Sequence, residues 1–89
     1  MNKIEKHREI CEHLNKVYTN KNHDYGDSFG ETFKKLGIIS AVTRITDKYN
    51  RLCNLCIKTQ AVKDESIEDT LLDMANYCIM TIIELEKTE

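Results

Sequence analysis

The sequence predicts an all-α protein, an antiparallel bundle of three main helices plus a short helix, completed by oligomerisation. Three observations predict it. The 89 residues include no proline and only three glycines, so little interrupts a helix. Apolar residues recur every three or four positions over three long stretches. Finally, 89 residues make one domain, residues 1–89, too small to bury much of its own surface. Association with further copies is the ordinary remedy.

The first long helix is expected from about Asn2 to about Asn20. Ile4, His7, Cys11, Leu14 and Tyr18 follow a 3-4-3-4 spacing, with Ile10 and Val17 beside them, which is one stripe of an amphipathic helix. His7 falls in that stripe and reads as a core or interface histidine. The segment TNKNHDYGDSFG, Thr19 to Gly30, is rich in turn formers and reads as a loop. Its two aromatics, Tyr25 and Phe29, suggest a loop folded down onto something. Glu31 to Leu36 can form the short helix, ended by Gly37. The second long helix runs from about Ile38 to about Lys58, with Ile38, Val42, Ile45, Tyr49, Leu52 and Cys56 as its buried stripe. A polar hinge is expected around Ala61 to Glu65. The third long helix starts near Ser66, where Ser66 and Asp69 resemble a capping box, and continues to about Lys87. Ile67, Leu71, Met74, Cys78, Ile82 and Leu85 form one stripe; Leu72, Ala75, Ile79 and Ile83 form a second. This wide apolar arc makes it the most buried helix expected.

Composition narrows the function. Apolar residues are 40% and charged residues 31%, a globular balance. No apolar run approaches the roughly 18 residues of a membrane span, and MNKIEKHREI lacks the apolar core of a signal peptide. The expected location is the cytoplasm. With a net charge of -2 and both signs interspersed, no extended nucleic-acid surface is expected. Cys53 and Cys56 form a single C-x-x-C without a second pair of ligands, so the four cysteines read as small core residues in a reducing compartment.

Three groups of residues carry the chemistry. On the third long helix, Asp69, Asp73, Asn76 and Met80 share a face that changes from acidic to apolar, the pattern of a polar pocket opening off a packed core. Carboxylates four apart can jointly hold magnesium, with water and phosphate completing the shell; acids near a helix N-terminus are also favourable without any ligand. On the second long helix, Arg44, Asp47, Lys48 and Arg51 share a face that could bind phosphate oxygens or form weak internal pairs. If these two helices run antiparallel, Arg44 or Arg51 could reach Asp69 or Asp73. In the loop, Asp24, Tyr25, Gly26 and Asp27 form a turn in which the aspartates could bind metal or cap a helix and Tyr25 could stack on a base. No P-loop, dinucleotide fingerprint or nucleophile elbow is present.

The stretches K-N-H-D-Y-G-D-S-F, R-I-T-D-K-Y-N-R-L and D-E-S-I-E-D-T-L-L-D-M-A-N-Y, in this order, resemble the nucleotide-modification-associated domain found in many phages and prophages. The resemblance spans roughly Lys21 to Glu86. That family is similar in outline to the MazG-like all-helical nucleotide pyrophosphohydrolases, in which E-x-x-E and E-x-x-D helices hold magnesium against a nucleoside triphosphate. Asp73 matches the aspartate of E-x-x-D. Thr70 stands where the glutamate would be, with Asp69 as its substitute, and the E-x-x-E pair has no clean counterpart among Arg44, Asp47, Lys48 and Arg51. The resemblance implies binding or processing of a nucleotide or nucleotide-derived small molecule in a phage-type setting, by a homo-oligomer. Asp69 and Asp73 would be the catalytic and magnesium-holding residues of a phosphoanhydride hydrolase. The incomplete acidic motif favours the alternative, a protein that sequesters a nucleotide signal of host defence without catalysis. A helical oligomerisation protein with no ligand is the third class.

Overall fold

The computed structural model describes residues 2–57 and 64–87, with backbone only for 64–66. It contains four α-helices and, among the described residues, no strand: α1 (Lys3–Tyr25), α2 (Ser28–Leu36), α3 (Ile38–Ile57) and α4 (Asp64–Lys87). The all-α class of three long helices and a short one is therefore the observed one.

The first helix departs from its expected length. α1 does not stop near Asn20 but continues through Tyr25. The polar residues after Tyr18 are indifferent helix formers rather than breakers. The Thr19 hydroxyl donates back to the Asn15 carbonyl at 2.7 Å, so even this residue stays within helical geometry. The helix opens on Asn2, whose side chain accepts from the Glu5 N–H at 2.8 Å. It ends only at Gly26, which takes φ 71° and ψ -163°. That backbone region is essentially reserved for glycine. The twelve-residue loop expected at Thr19–Gly30 thus shrinks to Gly26 and Asp27.

Asp27 then caps α2 by accepting from the Gly30 N–H at 3.2 Å. A Cβ at position 30 would collide with that carboxylate, so the cap needs glycine there. α2 starts three residues earlier than Glu31 for this reason. Gly37, at φ 75°, ends it as expected. At the other end of the chain, α4 begins at Asp64, which places Ser66 inside the helix and not at its cap. Of the hinge expected at Ala61 to Glu65, residues 64 and 65 are already helical, while 61–63 lie outside the described residues, as does the expected end of α3 at Lys58.

α3 and α4 form an antiparallel hairpin. Arg44 meets Tyr77, Lys48 meets Asp73 and Arg51 meets Thr70, so position falls along α4 as it rises along α3. α2 folds back across one end of the hairpin, where Phe29, Phe33 and Ala41 are buried and Tyr77 and Met80 pack against them. α1 lies along α4, with Leu14 buried and its carbonyl accepting from Asn76 Nδ2 at 3.2 Å.

This core is smaller than the apolar pattern implies. Among the described residues α4 is the least exposed of the three long helices, as expected, yet the side chains it buries are those of Thr70 and Thr81. Leu71, Ile79, Ile82, Ile83 and Leu85 are exposed, as are Ile38, Val42 and Tyr49 of α3 and Ile4 of α1. Nor are the cysteines core residues of the single chain: Cys11, Cys56 and Cys78 are exposed and Cys53 is half-buried. The periodicity is real, but among the described residues of one chain these faces stay largely uncovered. Among the described residues, no helix is long and apolar enough to cross a membrane.

Candidate functional site

A cleft of about 620 Å³ opens between the C-terminal end of α1, the turn into α2 and the α3–α4 hairpin. That is within the range of small-molecule sites, roughly 300–1,000 Å³. Two helical faces of identical spacing supply most of its wall. Tyr18, Lys21, Asn22 and Tyr25 stand at i, i+3, i+4 and i+7 on α1; Asp73, Asn76, Tyr77 and Met80 do the same on α4. Gly26, Asp27, Ser28 and Phe29 close one end, and Arg44 of α3 completes the lining.

Arg44 is positioned by aromatic rings. Its guanidinium carbon lies 5.6 Å from the Phe29 centroid and 6.0 Å from that of Tyr77. The two rings stack with centroids 6.0 Å apart and planes 23° from parallel. Cation–π attraction of about 0.5–1 kcal/mol holds the charge there without using its N–H donors. Among the described residues, Arg44 has no carboxylate or other hydrogen-bond partner. A planar fork of donors is therefore available beside an aromatic wall.

The other cations are spent elsewhere. Lys48 Nζ pairs with Asp73 Oδ2 at 3.1 Å, and Arg51 Nε donates to Thr70 Oγ1 at 3.2 Å. Neither lines the cleft. Of the three expected phosphate ligands, Arg44 alone faces it, and Lys21 of α1 supplies the second charge. The antiparallel packing expected to join the charges does so, through Lys48 and not through either arginine. Asp47 is exposed and outside the lining. Asp24 is exposed, 3.3 Å from His23 Nδ1, and also outside it. Tyr25 is 77% exposed at the rim. Asp27 and Gly26 line the cleft while serving as helix cap and helix stop. Asn76 commits its amide N–H to Leu14, which leaves its carbonyl oxygen without a partner among the described residues.

Asp69 faces a smaller hollow of about 280 Å³, shared with His13, Leu14, Val17, Leu72, Asp73 and Asn76. Asp73 and Asn76 line both hollows. Among the described residues, no three His, Cys, Asp or Glu side chains converge on one point. Asp73, the central carboxylate, is already balanced by Lys48. The donor set does not fit a magnesium ion held by the protein alone. Thr70, at the place of the missing glutamate, is 2% exposed in the α3–α4 interface.

Tyr18, Lys21 and Asn22 carry no signal as cleft residues when α1 is taken to end near Asn20. Carrying the helix through to Tyr25 puts all four residues on one face. Met80 was legible from its spacing to Asp73 and Asn76. Tyr77 and Phe29 had no sequence signal that separated them from ordinary core aromatics.

No curated protein and no solved structure matches the chain. The family model described as Nucleotide modification associated domain 1 matches residues 21–85, from the α1 face of the cleft through nearly all of α4, and the chain belongs to that family.

Proposed function

We propose that the protein binds a nucleotide or nucleotide-derived small molecule in the cleft between α1, α2 and the α3–α4 hairpin. The observation that carries this reading is Arg44, a guanidinium with no carboxylate partner among the described residues, held against Phe29 and Tyr77 in the cleft wall. Arg44 and Lys21 would take phosphate oxygens. Tyr25, with Tyr18 one face-repeat earlier, would cover the base. Asp73 and the free carbonyl of Asn76 would accept hydrogen bonds from sugar hydroxyls. The family description, nucleotide modification associated, agrees with a nucleotide-related ligand. In a phage-type setting, such binding would withdraw a nucleotide signal from host defence.

Calorimetry with a panel of mono-, di- and cyclic nucleotides, with and without magnesium, tests the reading. Bound ligand recovered intact after denaturing the protein supports binding without turnover. Hydrolysed ligand, with turnover abolished by Asp73→Ala, would replace it with phosphoanhydride hydrolysis. Absence of binding to every nucleotide would leave a helical assembly protein.

A further inference from the structure

We propose that the open flank of the α3–α4 hairpin, opposite α1, is the interface with a second copy of this chain. The observation is independent of the nucleotide reading. Ile38, Val42 and Tyr49 of α3 and Leu71, Ile82 and Leu85 of α4 are each between 43% and 56% exposed. All belong to stripes with the alternating 3- and 4-residue spacing of a helix–helix seam.

The two stripes lie on the same side. At 100° per residue, the α3 stripe stands roughly 115° around the helix from the line of Arg44, Lys48 and Arg51 that meets α4. The α4 stripe stands roughly the same angle, in the same sense, from Thr70, Asp73 and Tyr77. Because the helices run in opposite directions, equal rotations bring both stripes to one flank. Asn76, which holds α1, is turned the other way, so α1 covers the opposite flank and leaves this one open.

The surface area says how much must be covered. The chain exposes 7090 Å². A folded monomer of 10.4 kDa exposes about 5,400 Å², so roughly 1,700 Å² is in excess. A standard interface covers about 800 Å² per partner, and obligate homodimers cover about 1,000–2,500 Å². The radius of gyration, 14.7 Å, likewise exceeds the roughly 12 Å of a self-contained chain of this length. An apolar seam shared by two antiparallel helices is complementary to itself under a two-fold rotation, which closes a four-helix layer and suits a second copy. Such a seam carries no charge that would select a different partner.

Light scattering on the full chain, over a range of concentrations, tests the proposal. The expected mass is twice 10.4 kDa, or a multiple of that pair. Val42→Glu and Ile82→Glu are each expected to give single chains, with helical circular dichroism confirming the fold. Cys78, which lies in the seam, should react with a thiol reagent several-fold more slowly in the assembled wild type than an unshielded thiol does. This reading needs no variant to fold. A wild-type mass of one chain at every concentration would leave the flank to another protein and overturn the proposal. An assembly that survives both substitutions overturns it, and so does Cys78 labelling at the rate of a free thiol.

Discussion

Lys48 Nζ and Asp73 Oδ2 are 3.1 Å apart, joining α3 to α4 at the back of the cleft. The pair decides how the cleft's electrostatics work. Asp73 lines the cavity that Arg44 and Lys21 make attractive to anions, and an uncompensated carboxylate there would oppose them. Replacing Lys48 with Met should therefore weaken binding of a phosphorylated ligand although Lys48 does not line the cleft. At the distances involved, the freed charge is worth about 1 kcal/mol, or about fivefold in affinity at low salt. The loss should shrink as salt is added. The pair is about one-third exposed on each side, so the cost to stability is at most about 1 kcal/mol. Titration calorimetry at two salt concentrations, with urea unfolding alongside, measures both.

Arg44 should behave in the opposite manner, with a large effect on ligand and a small one on the fold. Arg44→Ala removes charge-assisted hydrogen bonds worth about 1.5–3 kcal/mol, a loss of roughly 10- to 100-fold in affinity. Arg44→Lys keeps the charge but not the planar fork or its stacking on Phe29 and Tyr77, and should recover a minor part of that loss. The apparent melting temperature should move by a few degrees at most, since cation–π contacts are worth about 0.5–1 kcal/mol.

The elements legible in the sequence are those that local rules govern. Gly37 ends α2 where expected, and the spacing of Asp69, Asp73, Asn76 and Met80 places them on one face, of which the last three line the cleft and Asp69 the smaller hollow. The errors arise where tertiary context decides. Thr19 to Tyr25 has loop-like composition, but no residue in it forbids a helix, and only Gly26 stops one. Lys48, Arg51 and Arg44 are equivalent on a helical wheel. Their different partners, Asp73, Thr70 and two rings, depend on the register of α3 against α4, which periodicity does not contain. The stripe through Val42 and Tyr49 is apolar, as its spacing says, but spacing does not say whether the same chain or another one covers it.

Gly26 connects the local chemistry to the cleft. Its φ of 71° with ψ of -163° is a conformation that side chains resist, while nothing lies within 4 Å of where a Cβ would stand. Gly26→Ala should therefore destabilise through backbone strain alone, by about 1–3 kcal/mol. Because this residue sets the angle between α1 and α2, ligand affinity should fall with stability. Gly30→Ala would fail by a different route, by displacing the Asp27 carboxylate from its cap. A urea titration of each variant, repeated with a fixed excess of nucleotide, checks this: the ligand's stabilising increment should be smaller in Gly26→Ala than in the wild type, and an unchanged increment would show that the strain does not reach the site.

Tyr49 supplies the prediction in pH. The pKa of its phenol is raised above the ordinary 10.0, first by the hydrogen bond with Cys53, then by the electrostatic interaction with the same residue, and last by desolvation. A group that keeps its proton more tightly when folded stabilises the fold fully below its unfolded value. That contribution is lost as pH climbs through the raised folded value. The window therefore opens at about pH 10 and extends above it. In absorbance titration, a late step should lie above pH 10, and Tyr49→Phe should remove it. Cys53→Ala, which deletes the two leading causes, should bring it back toward 10. Covering Tyr49 with a second copy adds burial, which acts in the same direction. A late step that sharpens or moves higher as protein concentration rises would be the titration signature of assembly through this flank.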